Sequence, residues 1–134
     1  MIKIKPEPKG ELLKDIIDWA VSGELGIPEF QRKFAWSRRD IEELLVSILK
    51  GYFIGSFLFL KVSPKNPPFA SRPIQGTERL LNNNNKNRFS PRILVLDGQQ
   101  RITSIIYALY VPQRDLITPK YTSKRYLFFL NLKA

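Results

Sequence analysis

Apolar residues recur at helical spacing in three parts of the chain. Over residues 11–22, Leu12, Leu13, Ile16, Ile17 and Ala20 fall on one face, and Gly23 supplies a stop, so the spacing predicts a helix there. A second helix starts at Ser37. Ser37-Arg38-Arg39-Asp40 has the form of an N-terminal cap with an acid in the first turn, and Ile41, Leu44, Leu45, Ile48 and Leu49 give an i, i+3, i+4, i+7, i+8 stripe that ends at Gly51. Ile102, Ile105, Ile106 and Leu109 mark a third helix, closed before Pro112. Between the helices the pattern turns to extended chain. Residues 27–32 form a short segment in which Pro28 disfavours a helix. The longest apolar run, 52–60, leads to a buried strand over 55–62; residues 92–96 read as a second buried strand and 126–132 as a last one.

Residues 63–91 break this rhythm. They hold Pro64, Pro67, Pro68, Pro73 and Pro91 and the run Asn82-Asn83-Asn84-Asn85, and read as one long loop or insertion. Short strands mixed with about three helices predict a small α/β (mixed α+β) domain with a short mixed sheet. At 134 residues the chain is expected to form one domain. No apolar run approaches the roughly 18–20 residues that span a bilayer, and the N-terminal Met1-Ile2-Lys3-Ile4-Lys5-Pro6 lacks a signal peptide's apolar stretch. No membrane partner and a cytoplasmic location are therefore expected.

Composition narrows the chemistry. Without cysteine there is neither a disulfide nor a thiolate, and without histidine the commonest general base and metal ligand is missing. Catalysis by this chain must then rest on carboxylates, amides, arginines or an oxygen-bound metal. A net charge of +10, from 22 Lys and Arg against 12 Asp and Glu, favours nucleotide or nucleic-acid partners. The basic residues are dispersed (Lys3, Lys5, Arg38, Arg39, Lys120, Lys124, Arg125), which does not describe a single DNA-binding arm.

One turn stands out. Asp97-Gly98-Gln99-Gln100-Arg101 joins an apolar strand directly to a helix. The first amides of a helix lack intrahelical partners, and with the helix dipole they favour an anion. Gly98 removes a side chain where phosphate would approach, and Arg101 offers a permanently charged, bidentate contact. Gln99 and Gln100 suit the orientation of a water, and Asp97 suits a divalent metal or a nucleophilic water. A plainer reading competes: Asp97 and Gln100 have capping-box spacing, with Arg101 a surface charge. Gln31 and Arg32, ahead of a helix, could reach a neighbouring site or lie on the surface. Trp36 suits helix-entry packing or base stacking. Thr103 could contact phosphate or bond back to a carbonyl.

The segments Ile27-Pro28-Glu29-Phe30-Gln31-Arg32 with Trp36, then Gly55-Ser56-Phe57, then Leu96-Asp97-Gly98-Gln99-Gln100-Arg101 with Thr103, stand in an order that resembles the N-terminal domain of GmrSD-type modification-dependent restriction systems. That domain belongs to the wider ParB/sulfiredoxin-like group. The resemblance covers about residues 10–132. It implies a ParB-like fold and a nucleoside-triphosphate site in which the D-G-Q-Q-R turn serves hydrolysis that controls DNA cleavage. Carried onto this chain, it assigns Asp97, Gln99, Gln100 and Arg101 to catalysis. It points to Gln31, Arg32, Gly98 and Arg101 for phosphate or nucleotide binding, to which the reading of the residues adds Thr103 as a phosphate contact and Asp97 as a Mg²⁺ ligand. Family members usually continue into a long C-terminal region, often with a His-containing nuclease. A chain without histidine is then expected to be the N-terminal part of a longer protein, a minimal member, or a subunit whose nuclease is elsewhere. The function expected is an NTP-binding and NTP-hydrolysing regulatory domain of a phage-defence restriction system, partnered by DNA, a nuclease domain or subunit, or a second copy. The alternatives are a DNA-backbone-binding module without hydrolysis and an assembly domain with a vestigial site.

Overall fold

A computed structural model of the chain describes residues 10, 13–82, 89–111, 116–118 and 125–131. Four helices and four strands follow in the order α1 (Leu13–Val21), β1 (Leu25–Pro28), α2 (Arg38–Leu49), β2 (Leu58–Lys61), β3 (Ser71–Pro73), α3 (Glu78–Asn82), β4 (Ile93–Asp97) and α4 (Gln99–Leu109). The strands form one mixed sheet in the order β2-β4-β1-β3. β1 runs parallel to β4, with Leu25 opposite Ile93 and Gly26 opposite Leu94. The two edges are antiparallel, β3 on β1 and β2 on β4. This is the small mixed α/β domain that the periodicity predicts.

Each predicted helix forms over its apolar stripe. Leu12 lies outside the described residues, while Ile16 and Ala20 are buried from α1 and Ile41 and Leu44 from α2. Ser37 caps α2 in a full capping box: its hydroxyl accepts from the Asp40 amide at 3.2 Å, and the Asp40 carboxylate accepts from the Ser37 amide at 2.8 Å. From α4, Ile102, Ile105, Ile106 and Tyr107 are buried. The core gathers Ile16, Ala20, Ile41, Ile102 and Ile106 of these helices with Leu25, Ile27 and Val95 of the sheet. Among the described residues no helix is long and apolar enough to cross a membrane.

Three extended segments depart from the prediction. The expected buried strand over 55–62 is shorter and lies at the sheet edge; Leu58 and Lys61 are exposed, because β2 has a neighbour on one side only. The apolar run ahead of it is a loop, with Tyr52 62% and Phe53 85% exposed. The expected long loop over 63–91 contains β3 and α3, and it buries Ile74, Thr77 and Leu81. Short elements broken by proline leave no period long enough to detect, and β3 takes its edge position with Pro73 at its end. Asn83, Asn84 and Asn85 of the asparagine run lie outside the described residues.

The expected last strand forms no ladder over residues 126–131, and Leu132 lies outside the described residues. Tyr126 and Phe128 pack on the core while Leu127, Phe129 and Leu130 are exposed. The alternation is that of a strand, yet a strand also needs a neighbour's ladder. Here the segment is held instead by the Tyr126 amide, which donates to the Tyr107 hydroxyl at 2.7 Å. Burial of Tyr107 raises its phenol above the ordinary tyrosine range, which its hydrogen bond from the Tyr126 amide and the nearby Arg125 charge only partly oppose. A raised folded value means that the unfolded chain releases this proton first. Its share of stability is therefore intact below about pH 10 and declines as pH rises further. In urea melts followed against pH, Tyr107→Phe should lose about 1 kcal/mol at neutral pH through the lost hydrogen bond from the Tyr126 amide. It should also lose stability less steeply than the wild type above about pH 10.

Candidate functional site

The parallel pairing of β1 with β4 places the chain leaving β1 beside the turn that leaves β4. An open cleft of about 350 Å³ results, lined by Gln31, Arg32, Trp36, Leu96, Asp97, Gly98, Gln99, Gln100 and Arg101. Eight of these nine, all but Leu96, are the residues singled out from the two sequence motifs. Thr103 is separate: it is 3% exposed in α4 and does not line the cleft.

The turn itself has no side-chain cap. The N-cap of α4 is Gly98 in a left-handed conformation (φ 97°), and no side chain bonds to the first-turn amides. The capping-box reading of Asp97 and Gln100 therefore does not hold. Asp97 is the last residue of β4, and Gln100 points to another segment. A Cβ at Gly98 would collide with the ring of Phe57, so both the backbone conformation and the space require glycine.

The glutamines bind backbone. Residues 31–35 have no regular structure, so their polar backbone groups need partners from elsewhere. Gln31 Nε2 donates to the carbonyls of Val95 and Leu96, both at 3.0 Å. Gln99 Nε2 donates to the Arg32 carbonyl at 2.7 Å. Gln100 donates to the Lys33 carbonyl at 3.3 Å and accepts from the Ala35 amide at 2.9 Å. Gln75 Oε1 accepts from the Phe34 amide at 3.0 Å, and the Arg72 guanidinium donates to the carbonyls of Gln31 at 2.8 Å and Arg32 at 3.2 Å. Two-sided amides suit this task, because a carboxylate could not donate and a hydroxyl is too short. Arg72 and Gln75 had no signal in the sequence; they lie in the stretch that reads as a proline-rich loop.

Arg101 is engaged in the same way. Its Nη1 donates to the Ile54 carbonyl and its Nη2 to the Ser56 carbonyl, both at 2.8 Å, and its guanidinium carbon lies 4.6 Å from the centre of the Phe57 ring. Gly55 sits between the two carbonyls at φ 102°, where a Cβ would stand 2.5 Å from Arg101 Nη1. Arg101 thus fastens the loop before β2 to the start of α4, and its charge still borders the cleft.

Two charged side chains are left for a ligand. Arg32 and Asp97 are both exposed, both line the cleft, and neither side chain has a hydrogen-bond or ion-pair partner among the described residues. With the first-turn amides of α4 they present a cation, a set of free N–H donors and one carboxylate to the same space. Among the described residues no group of three or more acidic, His or Cys side chains forms a metal cage.

Comparison with known proteins agrees with the motif order. The family model described as the GmrSD restriction endonuclease N-terminal domain matches residues 10–132. An uncharacterized protein of Methanocaldococcus jannaschii is 50% identical to the chain over 120 residues, which is 90% of this chain and 20% of that relative. The chain therefore spans a minor part of the length of the curated relative it matches. The match over nearly the whole chain, with both motifs meeting in one cleft, settles the family: the chain belongs to the GmrSD restriction endonuclease N-terminal domain family.

Proposed function

We propose that this domain binds a nucleoside triphosphate in the Arg32–Asp97 cleft and hydrolyses it, as the regulatory part of a modification-dependent restriction system acting in phage defence. The observation that carries this reading is the convergence of a free guanidinium, a free carboxylate and uncapped helix amides on one cleft. Phosphate needs the first and third of these, and hydrolysis needs a group that can orient water.

In this reading the first-turn amides of α4 and Arg32 hold the phosphates. Arg32 offsets charge on the transferring group, and Asp97 orients the attacking water. The glutamines and Arg101 keep these groups in register, so the catalytic work is positioning and charge stabilisation. One carboxylate with a triphosphate fits Mg²⁺, which takes one or two carboxylates beside phosphate oxygens and waters; Asp97 would hold the ion, which would neutralise phosphate charge. The net charge of +10 suits a DNA partner engaged through its phosphates, with cutting left to a nuclease domain or subunit.

Asp97→Asn keeps the shape of the side chain and removes its charge. It should retain the fold and reduce turnover of a nucleoside triphosphate by about 100-fold or more, measured by phosphate release under saturating nucleotide with Mg²⁺. Wild-type turnover in this variant would remove Asp97 from the chemistry, and no nucleotide binding by the unaltered chain would end the proposal.

A further inference from the structure

A second cleft of about 420 Å³ opens on the far side of Trp36 and Arg101, between α2 and the loop before β2. Its lining includes Asp40, Glu43, Phe53 and Ile54, and it shares Trp36 and Arg101 with the first cleft. The two are thus neighbours that share a wall.

Their electrostatics differ in sign. The first cleft offers Arg32 and the helix amides beside Asp97, whereas the second is lined by two carboxylates one turn apart on α2, Asp40, which caps the helix, and Glu43, which pairs with Arg39. Arg101 between them is engaged by two carbonyls and the Phe57 ring. Phosphates are favoured in the first cleft over the second. The second instead favours a flat, uncharged group that donates hydrogen bonds. Phe53, 85% exposed, is the ring at its edge, and the indole of Trp36 is half-buried in its wall. Such rings stack on the faces of nucleobases. Glu43 accepts an Arg39 contact at 3.3 Å on Oε1 only, which leaves Oε2 for a ligand donor.

We infer that this second cleft is the nucleoside subsite of the same site: the base stacks on Phe53 and Trp36, Glu43 accepts from a ribose hydroxyl or a base N–H, and the phosphates run past Trp36 to Arg32. The inference rests on the triphosphate reading above and adds the orientation of the ligand and the residues that select it.

The test is the ratio of two affinities measured by calorimetry on the whole chain, one for a nucleoside triphosphate and one for inorganic tripolyphosphate. In the unaltered chain the nucleotide should bind about tenfold or more tighter, the range that stacking supplies. Phe53→Ala and Glu43→Gln should each pull the ratio toward one. Because the ratio is taken within one variant, a general loss of stability does not produce it. Deoxynucleotides separate the donors: a loss of affinity for the 2′-deoxy or the 3′-deoxy analogue that disappears in Glu43→Gln assigns the carboxylate to that ribose hydroxyl, and unchanged affinity for both assigns it to the base edge. If both variants keep the wild-type ratio while tripolyphosphate still binds, the nucleoside lies elsewhere and the inference falls alone. If neither ligand binds the unaltered chain, the triphosphate reading fails and takes this one with it.

Discussion

Replacing Arg101 with alanine is expected to weaken the fold and not merely silence the site. The side chain makes two charge-assisted hydrogen bonds, to the carbonyls of Ile54 and Ser56, and lies over the Phe57 ring. Truncation leaves both carbonyls without a partner in a loop that has no ladder to fall back on, and Gly55 keeps its left-handed backbone with nothing to hold it. Hydrogen bonds to charged groups contribute about 1.5–3 kcal/mol each; the one to Ile54 is part-buried and the one to Ser56 exposed, so the expected loss is about 2 kcal/mol. Against a total of about 5–15 kcal/mol for a domain, that should lower the urea midpoint visibly. Arg101→Lys should recover little of it, since a single ammonium cannot span two carbonyls and cover a ring as a planar fork does. An unchanged midpoint with lost nucleotide binding would instead place Arg101 in direct contact with the ligand.

Arg32→Ala is expected to do the opposite. The guanidinium is exposed and bonded to nothing among the described residues, while the carbonyl of the same residue is held by Gln99 and Arg72. Its backbone is therefore fixed by the fold, and its side chain adds no contact among the described residues. Removing the side chain should leave the urea midpoint unchanged. It should weaken triphosphate binding by about 1.5–3 kcal/mol, roughly 10–150-fold, the contribution of a charged contact to phosphate. Arg32→Lys should restore part of the affinity, because a point charge still attracts phosphate without matching its geometry. Calorimetric titration of the variants checks both statements. A wild-type affinity in Arg32→Ala would remove the residue from the phosphate site.

Together the two arginines separate roles that a motif reading merges. Both stand beside glutamine in short motifs, and both border the same cleft. Arg101 is engaged by two carbonyls, while the Arg32 side chain has no partner among the described residues. The same holds for the amides: Gln31, Gln99 and Gln100 tie residues 31–35 to β4 and α4, and of the polar side chains in the D-G-Q-Q-R turn Asp97 alone has no hydrogen-bond partner among the described residues.

What the sequence by itself determined follows from local periodicity. The stripe Ile41, Leu44, Leu45, Ile48, Leu49 with Ser37 and Asp40 specifies α2 and its cap, because helix geometry and capping act within a few residues. The apolar run into Asp97-Gly98 specifies a strand that turns at once into a helix. The order of the two motifs was enough to give the family. Tertiary structure decided the rest. β3, three residues ending in Pro73, and α3, five residues, are too short to leave a period. Residues 126–131 have the alternation of a strand, but a strand exists only where a neighbour supplies its ladder. Which site residues are spare depends on contacts between segments 64 to 67 positions apart, such as Gln31 with Val95 and Gln99 with Arg32. Those contacts exist because β1 lies parallel to β4, and no local pattern records which carbonyl a distant glutamine will meet.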